Sequence, residues 1–294
     1  MNKTMKKFAK KICPMFLCLL LLTGCVKESK DTAPVFEEAS DLDTTEVAGT
    51  ENMPESIDVD GVKIALLDTG ISTKAIDSVH ILTGYNYITS TKDTEDQINH
   101  GTAVASVILG CESAGVEAMA PDAYLIPLVI VTKQEGKTIR ISPEQLAQVI
   151  RDSIDIYKAD IINVSLGIHE DNAELKEAVA YADEKGIPII SAVGNDGENG
   201  EPYYPASYDT VLAVGSCDKD GNPSSFSQEG AKVLAPGENI MLASRNGVSY
   251  GVKGTSFSTG YISAQAANIL LKEPALTPEE LFEKIIEIGK DTRN

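Results

Sequence analysis

An α/β fold, with a doubly wound, mostly parallel sheet carrying helices on both faces, is predicted by three features of the sequence. Short β-branched apolar runs recur from Gly61 onward. Amphipathic segments with helix-capping signals alternate with them, which is the pattern of βα units. The length of 294 residues, 43% of them hydrophobic, is enough to bury a substantial core. No internal repeat is visible.

The N-terminus reads as an export signal. Lysines 3, 6, 7, 10 and 11 precede an apolar run from Ile12 to Leu22, which is short for a membrane span and ends in Leu22-Thr23-Gly24-Cys25. This ending resembles the bacterial lipobox. The resemblance implies cleavage after residue 24 and a lipid on Cys25, so that residues 1–24 are a lipoprotein signal peptide. Cys13 and Cys18 would leave with it, and of the five cysteines Cys111 and Cys217 would then be the ones left unlipidated. They can form a disulfide or stay as two buried thiols, and neither stands in a zinc-type spacing. Residues 25–56 are acidic, polar and without apolar periodicity, as in a disordered tether. At roughly 30 residues such a tether reaches up to ~100 Å. It leaves no room for a folding-assisting propeptide.

The expected folded domain occupies residues 57–294. Strands are predicted over Val62–Leu67, Tyr124–Val131, Asp160–Ser165, Ile187–Val193 and Val211–Val214. Ser142-Pro143-Glu144-Gln145 supplies an N-cap, a proline at the first helical position and a capping-box glutamine for a helix to about Tyr157. Asp171 with Glu174 marks the start of a helix ending near Gly186, and Thr277-Pro278-Glu279-Glu280 starts the last one. Ala231 to Gly251 reads as short strands and turns, an antiparallel addition.

The formal charge is −19, and because the first 24 residues hold five lysines and no acid, the chain from residue 25 onward carries −24. Such acidity repels phosphate backbones and anionic headgroups, excluding nucleic acid as a partner, and it keeps an exported protein soluble.

Three motifs carry chemistry. Val62–Leu67 ends in Asp68-Thr69-Gly70, placing a carboxylate at the C-terminal edge of a parallel strand, where such sheets hold their sites. Asn99-His100-Gly101-Thr102 opens an apolar helix to Leu109, and its dipole is expected to keep the His100 imidazole neutral. Gly254-Thr255-Ser256 opens a second apolar helix to about Leu271, with a hydroxyl and a backbone N–H at its first turn.

In the order Asp, His, Ser, these motifs resemble the signatures of subtilisin-like serine proteases. The resemblance runs from about Val62 to Ile269 and includes Asn163-Val164-Ser165-Leu166-Gly167, Ala192-Val193-Gly194-Asn195 and Tyr204-Pro205-Ala206. It implies a serine endopeptidase acting through an acyl-enzyme, with Ser256 as nucleophile, His100 as base and Asp68 as the group that orients the base. It also implies an oxyanion hole from Asn195 and the Ser256 N–H. Ser165, Leu166, Gly167, Ala192, Val193, Gly194 and Tyr203 would bind substrate. The protein is expected to be a monomer, anchored by lipid to the outer face of a cell membrane, acting on peptides or proteins, with an exported peptide as the narrower expectation for its substrate. No cofactor is required and no metal site is expected. Calcium often stabilises the family, yet no EF-hand-type acidic loop calls for it here.

Two departures from the family stand out. Gly260 replaces a proline read as pre-setting the first helical turn, and Tyr203 stands where many relatives have glycine at the floor of the primary pocket. If it points inward, Tyr203 favours small substrate side chains. Other readings are weaker. Asp-Thr-Gly also marks aspartic proteases, but no second such carboxylate is present. An esterase would show G-x-S-x-G, which is absent. An inactive binding module on the same fold would not need an intact triad. His80 and His169 read as ordinary surface or loop residues.

Overall fold

The computed structural model describes residues 43–44, 58–201 and 203–291. The expected signal peptide, Cys25 and all of the tether but two residues lie outside them. The strands are β1 (Asp43–Thr44), β2 (Lys63–Asp68), β3 (Tyr85–Asn86), β4 (Tyr124–Val129), β5 (Val131–Gln134), β6 (Lys137–Arg140), β7 (Ile161–Val164), β8 (Ile189–Ala192), β9 (Leu212–Cys217), β10 (Val233–Pro236), β11 (Ile240–Ala243) and β12 (Ser249–Val252). The α-helices are α1 (His100–Leu109), α2 (Pro143–Asp155), α3 (Ala173–Glu184), α4 (Thr255–Leu270) and α5 (Pro278–Asp291).

Seven strands form one parallel sheet in the order β10-β9-β8-β7-β2-β4-β3. The alternation of side chains along each strand decides which helices it meets. On β2, Ile64 and Leu66 join the core under α1, α4 and α5, while Ala65 and Leu67 join the core under α2 and α3. Both faces are therefore covered, as expected of a doubly wound sheet. Strand β2 has β4 on one side and β7 on the other, so the winding reverses beside it. That switch point opens a crevice at the C-terminal end of β2, where Asp68 lies.

The expected elements are present with shifted ends. The run Tyr124–Val131 divides into β4 and the start of β5, which pairs antiparallel with β6 in a hairpin. The start of α2 carries the full capping box between Ser142 and Gln145. Helix α3 is capped by Asn172 rather than Asp171, whose Oδ1 instead accepts a hydrogen bond from Tyr208 at 2.9 Å. In the antiparallel addition, β11 and β12 form a hairpin, but β10 extends the parallel sheet. Strand β1, inside the stretch expected to be tether, pairs in parallel with β6. Backbone pairing at an open strand edge requires no side-chain pattern, so polar sequence carries no signal of it.

Gly260 is the sixth residue of α4, beyond the first turn. A Cβ there would lie 3.1 Å from Val104 Cγ1 of α1, so the residue serves the close approach of two helices. Cys111 and Cys217 are buried thiols not joined to each other. Among the described residues, no helix is long and apolar enough to cross a membrane and no cluster of potential ligands could hold a metal ion.

Candidate active site

Asp68 is fully buried, and its Oδ1 lies 2.7 Å from His100 Nδ1. The same oxygen accepts from the Thr69 N–H at 2.7 Å, whereas Oδ2 is buried with no hydrogen-bond partner. An unsatisfied buried carboxylate oxygen is costly, and such groups concentrate where charge is used. Here the charge faces an imidazole.

His100 is the first residue of α1, after Asn99 in a left-handed conformation. The contact with Asp68 requires α1 to sit close to the turn after β2, and Gly101 makes that approach feasible. A Cβ on Gly101 would collide with the Gly70 carbonyl oxygen and lie 3.0 Å from Asp68 Oδ1. Burial opposes the charged imidazolium, but the charge and hydrogen bond of Asp68, with the charge of Asp96, outweigh it and raise the His100 pKa above 6.5. This reverses the expectation from the helix dipole, because a carboxylate in contact outweighs the partial charge of a helix terminus.

Ser256 is the second residue of α4 and is 6% exposed. Its hydroxyl donates to the Ser165 carbonyl oxygen at 2.7 Å. The next residue, Phe257, stacks at 5.4 Å from the His100 ring, so the starts of α1 and α4 are adjacent. The sequence places the two helix starts apart by more than 150 residues; the sheet brings them together.

Asn195 follows Gly194, whose φ of 112° turns the chain after β8. Its Oδ1 accepts from the Thr255 N–H at 2.9 Å and from Thr255 Oγ1 at 3.1 Å, which fixes the amide over the start of α4. The amide Nδ2 lies 3.8 Å from where a Cβ on Gly254 would stand. The Phe257 N–H donates to the Gly254 carbonyl oxygen at 3.2 Å.

The predicted substrate-binding residues divide by role. Leu166 and Val193 are buried in packing cores and Ala192 is 4% exposed, so their side chains are turned away from solvent. Ser165 is likewise buried, with its carbonyl on Ser256. Gly167 and Gly194 face each other across the ring of Tyr203: a Cβ on either would lie 2.5 Å from Tyr203 Cδ1 or Cδ2. The half-buried tyrosine ring lies between the two glycines. His169, expected to be an ordinary loop residue, lies against it with ring centroids 4.2 Å apart. His80 contacts the Ala123 carbonyl at 3.0 Å, away from these groups.

Sequence reasoning missed Gln228 and Asp96. Gln228 is 5% exposed and packs its amide against Gly194 behind Tyr203. Asp96 is fully buried, four residues before His100. In a polar loop beside Asp93 and Glu95, neither spacing nor composition singles it out.

An acid and an imidazole in contact at the C-terminal edge of a doubly wound sheet, beside a helix-borne serine, is the layout of a serine protease. The chain belongs to the subtilase family, peptidase S8, which matches residues 59–289. It is 30% identical to subtilisin DY of Bacillus licheniformis over 76% of this chain and 82% of that protein. It is 33% identical to subtilisin Savinase of Lederbergia lenta, over 73% of this chain and 78% of that protein. With the minor extracellular protease Epr of Bacillus subtilis the identity is 34%, over 79% of this chain but 36% of the longer relative. Among solved structures, Sphericase superposes with a TM-score of 0.68 at 26% identity, covering 81% of this chain and 86% of its own. The prenylagaramide maturation protease PagA superposes with a TM-score of 0.62 at 29% identity, covering 74% and 79%.

Proposed function

We propose that this serine protease is an endopeptidase that hydrolyses peptide bonds through an acyl-enzyme formed on Ser256. The observation that carries the reading is the 2.7 Å contact between Asp68 and His100 Nδ1, with an otherwise unpartnered Asp68 oxygen behind it. With Nδ1 held by the acid, Nε2 is the nitrogen that takes the serine proton. The Ser256 hydroxyl leaves Ser165 O, gives its proton to His100, and Oγ bonds to the scissile carbonyl carbon. The resulting oxyanion is met by the Ser256 N–H and Asn195 Nδ2. The C–N bond then breaks and the amine leaves with the proton from His100. Water repeats the steps on the ester, releasing the acid and restoring the serine.

Tyr203 between Gly167 and Gly194 supports a preference for a small residue before the cut. A small-residue preference and an acidic body suit trimming of cationic exported peptides, and the likeness to a maturation protease points the same way. The lipobox-like ending before Cys25 supports a lipid anchor on the outer face of the membrane. No nucleic acid or cofactor is needed for this chemistry.

A fluorophosphonate probe tests the reading. Wild-type protein is expected to be labelled and Ser256→Ala is not; folded wild type that resists labelling would favour an inactive binding module. For the anchor, Cys25→Ser is expected to release the protein into the medium.

A further inference from the structure

Asp96 is a buried acid that the proposed mechanism leaves unused. Its carboxylate accepts five hydrogen bonds and is shielded from solvent. Oδ1 receives Thr69 Oγ1 at 2.9 Å, the Ile98 N–H at 2.8 Å and the Asn99 N–H at 3.0 Å. Oδ2 receives the Thr102 N–H at 3.0 Å and Thr102 Oγ1 at 2.6 Å. Thr69 Oγ1 in turn accepts the Gly101 N–H at 2.8 Å, and Thr102 Oγ1 accepts the Ser72 N–H at 3.1 Å.

These partners bracket the two reacting groups. Thr69 follows Asp68 directly, and Asn99, Gly101 and Thr102 surround His100. The carboxylate therefore clamps the turn after β2 to the first turn of α1, and the 2.7 Å contact between Asp68 and His100 is made between the two clamped segments. All five partners are neutral donors. The guanidinium of Arg245 binds the main-chain oxygen of Asp96 and Gln97 Oε1, both at 3.3 Å, rather than the carboxylate.

We propose that Asp96 is a positioning residue for His100, holding the imidazole in register with Asp68 from outside the proposed catalytic groups. The proposal rests on the assignment of His100 as the base. Asp96 also places a second negative charge near the imidazole. Asp68 on β2 acts on the imidazole as well, while Tyr250 on β12 faces both acids and Arg245, in the loop between β11 and β12, bonds to Asn99 and Asp96. Strand β11 and the first turn of α4 carry no titratable or charged group. The phenol of Tyr250 is pushed up by burial and then by the charges of Asp96 and Asp68, which places it in the same electrostatic neighbourhood.

Two substitutions separate the mechanical role from the charge. Asp96→Asn sets an amide NH₂ against donors and removes the charge. Thr69→Val removes the hydroxyl that bridges Asp96 to Gly101 but keeps the charge. Turnover of succinyl-Ala-Ala-Ala-p-nitroanilide is measured against pH, per folded molecule by circular dichroism, with Ser256→Ala as control. Both variants are expected to lose about tenfold or more in kcat with KM within about twofold, the scale on which small misplacements act. The acid limb of the profile should move to lower pH in Asp96→Asn and stay in place in Thr69→Val.

Folded Asp96→Asn with wild-type kcat and an unmoved acid limb would overturn the proposal, as would variants that raise KM alone. If Asp96→Asn fails to fold, unchanged kcat in Thr69→Val overturns it. Retained turnover in Ser256→Ala would instead sink the proposed function, and this role with it.

Discussion

The Ser256 hydroxyl donates to the Ser165 carbonyl oxygen at 2.7 Å, so the proposed nucleophile rests on the residue that directly follows β7. The side chain of Ser165 completes the tie by donating to the Ser256 carbonyl oxygen at 3.3 Å and accepting from Asn163 Nδ2 at 2.8 Å. Asn163 Oδ1 accepts in turn from Ser263 Oγ at 2.9 Å, two turns along α4. This fully buried chain fastens the start of α4 to the end of β7.

Ser263→Ala leaves Asn163 Oδ1 without that donor in a site closed to water. The expected cost is about 1–3 kcal/mol of stability. A chemical denaturation midpoint indistinguishable from wild type would contradict it.

The raised pKa of His100 has a defined sign. A base must be neutral, so kcat/KM should climb with pH through a midpoint above 6.5. The contribution of the protonated imidazole to stability runs the other way, full below the unfolded value of about 6.5 and lost as pH rises through the folded one. Asp68→Asn should shift the acid limb of activity downward. A wild-type limb centred at or below 6.5 would show that burial outweighs the carboxylates.

Asn195 is held by its oxygen, and Nδ2 is the atom that the proposed mechanism sets against the oxyanion. In Asn195→Ala, kcat should fall by about 10²–10³ with KM little changed. Steady-state kinetics on a peptide anilide decides it, and a rise in KM alone would assign the amide to ground-state binding.

Tyr203 fills the space between Gly167 and Gly194, so wild type should cleave after alanine in preference to phenylalanine. Tyr203→Gly opens that space, and the ratio of kcat/KM for phenylalanine over alanine should rise by about tenfold or more. Peptide-library profiling that shows an aromatic preference in wild type would refute the plugged pocket.

Much of this site was legible beforehand because its signals are local. The apolar run into Asp68, the glycine after His100 and the helix opening at Ser256 are each written within a few residues. The expected strands and capped helices came from the same short range. The boundaries moved by a few residues, and of the antiparallel hairpin of β5 and β6 only Val131 lies in a predicted strand, since the apolar run that continues across Ile130 ends there. Asp96 and Gln228 were invisible because burial of a loop side chain is decided by what packs over it from elsewhere in the chain.

The sequence by itself determined the alternation of strands and helices, the strand end and helix starts that carry the acid, imidazole and hydroxyl, and the acidic character of the chain. These follow from hydrophobic periodicity, capping chemistry and charge, which act between near neighbours. Only the tertiary structure decided that Asp68 keeps an unpartnered oxygen, that two carboxylates reverse the sign expected for His100, and that the Tyr203 ring lies between Gly167 and Gly194. Each of those depends on distances between segments far apart in the chain, and electrostatics and packing at a few ångströms are set by how such segments meet.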